Sequence, residues 1–311
     1  MRETTLIRWL QSRAAANTDR RIRLGIGDDA AILPGPADGI VVTTDLIADG
    51  THFRQGECSP NQIGRKAMAV NLSDIAAMAA RPTAAFVSLL LPKSTSDDYV
   101  IELMRSMSDH ASDFDCEIAG GDTNIWDGAL AINVTMLGEV TSRGPLLRSG
   151  AKPGDVLMVT GSLGGSLAGR HFDFTPRVHE ALMLHEEYEL HAGMDLSDGL
   201  GLDLRRLCEA SVCDAEVDAA ALPVSKAARD LSATESEAIR RCLGDGEDFE
   251  LLLSVSPKEA ERILDSQPLD VPITAIGRCT SRPDGGDSNV WLIENEKKIP
   301  MPELGFEHGG P

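Results

Sequence analysis

The chain has 311 residues, with 29 Lys and Arg against 49 Asp and Glu, a formal charge of −20. That balance argues against a nucleic-acid backbone or an anionic membrane as the main partner, because both call for clustered Lys and Arg and are repelled by an acidic field. With 42% apolar and 25% charged residues, the chain can bury a core and is not a disordered polyelectrolyte.

Its first segment, MRETTLIRWLQSR, is charged and amphipathic, and Leu6, Ile7 and Leu10 predict a short opening helix. It lacks the apolar run and cleavage site of a signal segment. No stretch approaches the roughly 18 uninterrupted apolar residues of a spanning helix. A cytosolic, that is cytoplasmic, protein is therefore expected. Residues 39–45 read as a strand running into a polar end. The clearest helix covers 60–80, with Pro60 at its start and Pro82 beyond its end. Residues 84–91 read as a buried strand, 96–114 as a helix, 117–119 as a strand ending in Gly120-Gly121, and 129–137 as a further strand. From 141 to 153 Ser, Arg, Gly, Lys and Pro with little periodicity mark a linker. A boundary near residue 145 gives two domains, 1–145 and 146–311. The second opens with a strand at 156–160 and the glycine-rich turn Gly161-Ser-Leu-Gly-Gly, then a helix from 200 to 210 and mixed patterns to Glu294. Six scattered cysteines without a CxxC pair or a histidine at zinc-ligand spacing read as structural thiols.

The informative feature is a set of acidic residues at the ends of predicted elements: Gly27-Asp28-Asp29, Thr43-Thr44-Asp45, Ser73-Asp74, Gly120-Gly121-Asp122 and Asp195-Leu-Ser197-Asp198-Gly199. A carboxylate beside glycine at a strand end is reachable by a ligand. Asp74 shares a helical face with Ile63, Ala67, Val70 and Ala77, so it points inward and needs a cation, a hydrogen-bond network or a metal. Taken singly, each motif has a structural alternative. Asp74 fits a core carboxylate paired with an Arg or an amide, Ser197-Asp198 a helix N-cap, and Gly120-Gly121-Asp122 a strand-to-loop reversal. If the acids converge, their repulsion requires hard divalent cations, and an oxygen-only donor set points to Mg²⁺. Neither a GxxxxGK[ST] loop nor a kinase HRD and DFG pair is present.

The ordered set GIGDDAAI, VVTTDLIADGTHF, KAMAVNLSDIAAM, AGGDT, RSGAKPGD, DLSDGL and GDGEDFELL resembles the thiamine-monophosphate kinase family, which sits in an ATP-binding superfamily with aminoimidazole-ribotide synthetase and selenophosphate synthetase. The match runs from about Gly25 to Leu253 and resumes at Phe306. The resemblance implies an α+β protein: an N-terminal mixed β-sheet domain that pairs with its copy in a homodimer, and a C-terminal α/β sandwich domain. It implies direct transfer of the γ-phosphoryl group of ATP to the phosphate of thiamine monophosphate, assisted by several Mg²⁺ ions, with no covalent nucleophile. Asp28, Thr43, Thr44, Asp45, Asp74, Asp122, Asp195 and Asp198 are the implied metal ligands. Phe114, Gly121, Asp122, Arg148 and Ser197 fall where the family contacts ATP, and His52, Glu247 and Phe306 where it contacts the acceptor. Departures are Phe114 in place of a frequent Tyr, Asp245 before Gly246 in place of Gly, Ala79 in place of Gly, Gly165 in place of Asp, and a short stretch from 170 to 194. The alternatives are another ATP-dependent enzyme of the superfamily or a nucleotide-binding regulator without turnover.

Overall fold

The computed structural model describes residues 27–33, 35, 39–283, 286 and 288–307. The opening helix expected around Leu6, Ile7 and Leu10 lies outside them. The first half is built on a five-stranded sheet of β1 (Ala31–Leu33), β2 (Ile40–Ala48), β3 (Arg81–Pro92), β4 (Glu117–Trp126) and β5 (Ala131–Glu139), in the order β1-β2-β5-β3-β4. Only β3 and β4 run parallel. Along β2 the period of two puts Val41, Thr43 and Ile47 inside and Thr44 and Leu46 outside.

Helix α1 (Pro60–Ala77) packs on the inner face of this sheet. Ser59 and Gln62 form a reciprocal capping box and Pro60 takes the first helical position, satisfying amides that a helix start leaves without partners. The helix stops at Ala77 rather than at residue 80 because Ala79 adopts φ +48, the left-handed conformation in which glycine is strain-free. Lys66, Asn71 and Ser73 are buried along with its apolar residues, so α1 is covered on all sides rather than on a single stripe. Helix α2 (Asp97–Ser112), capped by Ser96, lies against it. Gly64 permits that approach, since a Cβ there would stand 2.5 Å from the Leu103 carbonyl oxygen.

β4 departs from expectation. It does not end at Gly120-Gly121 but continues beside β3 to Trp126, across a register shift between Ala85 and Phe86. Gly121 has φ +155, and a Cβ on it would lie 1.7 Å from the Val87 carbonyl oxygen. The glycines therefore serve close strand approach rather than a reversal.

The second half holds a seven-stranded sheet in the order β12-β11-β8-β10-β6-β9-β7, from β6 (Val156–Thr160), β7 (Leu190–Asp195), β8 (Asp214–Asp218), β9 (Leu251–Val255), β10 (Ile273–Thr280), β11 (Val290–Glu294) and β12 (Lys297–Pro300). Helices α3 (Arg170–Asp173), α4 (Val178–Glu187), α5 (Leu200–Ser211), α6 (Lys226–Asp230), α7 (Glu235–Gly244) and α8 (Pro257–Ser266) complete it. One apolar core runs from the five-stranded sheet through α1 and α4 to Leu251, Leu253 and Ile273; a second joins the other face of the seven-stranded sheet to α5 and α7. Five of the six cysteines are buried and all are free thiols. Among the described residues, no helix is long and apolar enough to cross a membrane.

Gly121→Ala is expected to destabilise the fold by about 1–3 kcal/mol, the usual cost of overpacking, measured by urea unfolding. A wild-type midpoint would contradict the close approach of β4 to β3.

Candidate functional site

The inner ends of both halves face a cleft of about 660 Å³ lined by Asp45, His52, Lys66, Asp74, His171, Asp195, Ser197, Asp198, Glu247, Phe249 and Phe306, among others. The fold brings them together by simple means. β2 delivers Asp45, and the loop after it delivers His52. α1 delivers Lys66 and Asp74 two turns apart on one side. β7 ends at Asp195, and its pairing with β9 extends past the strand ends: the Leu196 amide donates to the Glu250 carbonyl (2.9 Å), and the Phe249 and Glu247 amides donate to the Leu196 and Ser197 carbonyls (2.8 and 2.6 Å). The motif beginning at Asp195 and the motif containing Glu247 thus form one ledge.

At the head of the cleft, Asp29, Asp74 and Asp195 each offer an oxygen, all within 4.8 Å of one another. Thr43 donates its hydroxyl to Asp74, and Ser73 donates to Asp195 Oδ2 at 2.5 Å. Among the described residues one cation answers them: Arg148 grips Asp29 through Nε and Nη2 at 2.9 and 2.7 Å, the bidentate geometry that suits a carboxylate. Burial, followed by repulsion from Asp45, Asp195 and Asp29, holds Asp74 well above the usual carboxylate range. Burial and then Asp29 do the same to Asp195. Asp45 is pushed up to about 6 by burial and Asp198. This donor set consists of carboxylates and hydroxyls without thiol or imidazole, which fits a hard divalent cation.

The acidic motifs do not all converge. Asp28 is not part of the group; its carboxylate accepts the backbone amides of Asp29 and Arg148, and burial with the Asp29 charge pushes it up to about 7. Its neighbour Asp29 takes the place in the cluster. Thr44 points to the outer side of the sheet, where its hydroxyl donates to the Val134 carbonyl at 3.2 Å, because strand alternation separates it from Thr43 and Asp45. Asp122 and Gly121 stand on the exposed edge strand β4, separated from β2 by β3 and β5. Phe114 is 6% exposed and packed edge-on against His110 and stacked on His179, so its ring lies in the core rather than in the cleft. Asp45, Asp74, Asp195, Asp198, Ser197, His52, Glu247 and Phe306 do line the cleft, with Thr43 and Arg148 bonded directly to its acids. Asp198 is paired with Arg206 at 2.5 Å, and Arg206 also holds the buried Asp203 at 2.9 Å.

Two side chains escaped the sequence reading. Asp29 carries the same signal as Asp28, and adjacency alone does not choose between them. Lys66, wholly buried and bonded to Glu247, stands next to Arg65, and adjacency alone does not show which of the two basic side chains turns inward. Two of the departures touch each other: the Gly165 amide donates to Asp245 at 2.9 Å.

Residues 27–140 match the family model described as AIR synthase related protein, N-terminal domain. The chain is 41% identical over 298 residues to a thiamine-monophosphate kinase of Rhodopirellula baltica, covering 93% of this chain and 92% of that one. It superposes with a TM-score of 0.82 on a solved structure of AaThiL complexed with AMPPCP and TMP, 26% identical, covering 99% of this chain and 97% of that one. A thiamine-monophosphate kinase from Stenotrophomonas maltophilia K279a superposes with a TM-score of 0.73 at 34% identity, covering 93% and 96% of the two chains.

The raised acids fix the sign of the pH dependence. A carboxyl that holds its proton more tightly in the folded than in the unfolded chain stabilises at low pH, and that contribution is lost as pH rises past the ordinary value of 3.8 through folded values of about 6 for Asp45 and about 7 for Asp203. In a chelating buffer the melting temperature should therefore fall between about pH 4 and about pH 7, and Asp74→Asn should flatten that fall and raise the midpoint at the upper end. An unaltered slope in the variant would remove Asp74 from the repelling group.

Proposed function

The chain belongs to the thiamine-monophosphate kinase family, and we propose that it transfers the γ-phosphoryl group of ATP to the phosphate of thiamine monophosphate, giving thiamine diphosphate and ADP. The observation that carries this reading is the meeting of Asp29, Asp74 and Asp195 at the head of a cleft whose other wall holds His52, Glu247 and Phe306. The relative solved with AMPPCP and TMP supports both substrates.

In the transfer, an oxygen of the acceptor phosphate attacks the γ-phosphorus, and the bond from that phosphorus to the bridging β-γ oxygen breaks, its electron pair leaving with ADP. The acceptor has a second pKa of about 6 and is largely ionised near neutrality, so no strong base is needed. The obstacle is the approach of two anions. Asp29, Asp74 and Asp195, with Asp45, Asp198 and the Thr43 hydroxyl beside them, would hold Mg²⁺. When bound, Mg²⁺ offsets phosphate charge and helps align attacking and leaving oxygens. Arg148 limits repulsion among the acids by pairing with Asp29. Ser197, on the ledge after β7, faces the nucleotide, and His52, Glu247 and Phe306 face the acceptor.

The reading includes a homodimer and a division of the chain near residue 145. β5 ends at Glu139 and β6 begins at Val156, which supports the division. The outer side of the five-stranded sheet, open among the described residues, supports the dimer: Leu46 is 58% exposed, Phe86 42% and Leu90 39%, an apolar surface that isolated folded chains seldom leave in water. A dimer through this face would cover the side that carries Thr44, with Asp122 and Gly121 on its edge strand.

The direct test is incubation of the pure protein with ATP, Mg²⁺ and thiamine monophosphate, with thiamine diphosphate as the expected product. Unphosphorylated thiamine and aminoimidazole precursors should not replace the acceptor. Asp74→Asn, which keeps shape but loses charge, should lower turnover by about 10²-fold or more, as loss of one electrostatic contact to a transferring group does. Wild-type turnover in that variant would exclude Asp74 from the site. Phe86→Asp should convert a dimer into monomers in sedimentation velocity; an unshifted dimer would move the interface elsewhere.

A further inference from the structure

Lys66 has a fully buried side chain in a wall of the cleft. Its Nζ lies 2.8 Å from the His52 carbonyl oxygen, 2.8 and 2.7 Å from Glu247 Oε1 and Oε2, and 2.8 Å from His171 Nδ1. It also stands 5.3 Å from the centre of the Phe172 ring. These partners come from three segments far apart in sequence: the loop after β2, helix α3 beyond the glycine-rich turn, and the turn before β9. All three meet at this one ammonium.

Counting protons defines the arrangement. An ammonium has three donors and four acceptor atoms surround it. His171 Nδ1 is also 2.8 Å from Glu247 Oε2. If His171 donates there, the three ammonium protons go to the His52 carbonyl and the two Glu247 oxygens, and no donor is wasted. Glu247 is further constrained by its backbone, which takes φ +52, as Phe249 takes φ +49 two residues on. Left-handed non-glycine residues are strained and persist where their surroundings over-determine them. Packing does not require a lysine here, since a buried ion pair seldom outperforms apolar side chains of like volume in stability. The geometry accounts for it differently: it joins the segments that bear two of the three acceptor contacts implied for this wall, His52 and Glu247.

Resting on the kinase reading, we propose that Lys66 is a positioning residue for the acceptor. Its ammonium fixes the orientation of Glu247, which in turn holds His171, and anchors the His52 loop, so that the acceptor half of the cleft is set before substrate arrives. The nucleotide half, built around Asp74, Asp195 and Ser197, does not depend on it.

The test is steady-state kinetics of the full chain with ATP, Mg²⁺ and thiamine monophosphate. Lys66→Met should raise KM for thiamine monophosphate about tenfold or more while KM for ATP stays within about twofold, the signature of lost acceptor binding rather than general damage. Parallel rises in both constants, or an acceptor KM within about twofold of wild type, would overturn the proposal. Should Lys66→Met fail to fold because Glu247 is left unpaired, Lys66→Met/Glu247→Gln removes both charges together. That double variant should raise the acceptor KM about threefold or more beyond Glu247→Gln alone, again without moving KM for ATP. Equality of the double and the Glu247→Gln variant would overturn it. Failure of the kinase reading is distinct, because then the wild-type protein itself leaves thiamine monophosphate unconverted.

Discussion

Three carboxylates, Asp29, Asp74 and Asp195, are held with oxygens within 4.8 Å of one another, where burial and mutual repulsion both oppose their charge. The fold is organised around keeping them there. Asp74 is fixed by a helix buried on every side, Asp195 by a strand from the other half of the chain, and Asp29 by the guanidinium of Arg148, which lies in the segment between the two sheets. The cluster therefore forms only when the two halves are docked. The apolar core shared by the first sheet, α1 and the strands β6 and β9 supplies the attraction that sustains it.

Elements were readable where one residue type alternates with another in a single environment. The strands at β2, β3, β5 and β6 and the helices α1, α2 and α5 fall close to the periodicity and capping signals that announced them. The period of two even separates Thr43 and Asp45 from Thr44, a distinction that a motif match carrying all three as ligands passes over. Other features left no such trace. β4 is exposed along nearly its whole length, so it has no buried stripe to show that the strand passes through Gly120-Gly121. Helix α1 has no wet face, so Lys66 and Asn71 cannot be recognised as interior by contrast with their neighbours. Asp28 and Asp29 differ only in how an irregular segment turns.

The glycine-rich turn that opens the second half gained its meaning from the structure. Its amides look suited to an anion, and the anions they meet are the protein's own. Gly164 donates to both oxygens of Asp248 at 2.9 Å, Gly165 to Asp245, and the Ser166 hydroxyl to Asp248 at 2.5 Å. Below them Arg170 and Arg177 converge on the buried Glu250. The acidic run from Asp245 to Glu250 is thereby engaged residue by residue from behind, while Glu247 turns toward Lys66 in the cleft. A loop with its amides committed in this way acts as a clasp for the acceptor wall and is a poor phosphate cradle.

That division of labour bears on how proton transfer enters the proposed reaction. Both histidines of the cleft have their Nδ1 engaged: His52 accepts the Ala48 amide at 3.1 Å, and His171 is bonded to Glu247 at 2.8 Å. Such bonds fix ring orientation, as they do for any imidazole that must present its other edge to a partner. A nucleophile that has already lost its proton needs orientation and charge balance far more than a base. The cleft offers abundant means of the first kind: a buried ammonium, two anchored rings and an acid cluster suited to divalent cations. This distribution favours transfer to a preformed phosphate anion over transfer to a hydroxyl, whose proton would have to be removed as the new bond forms.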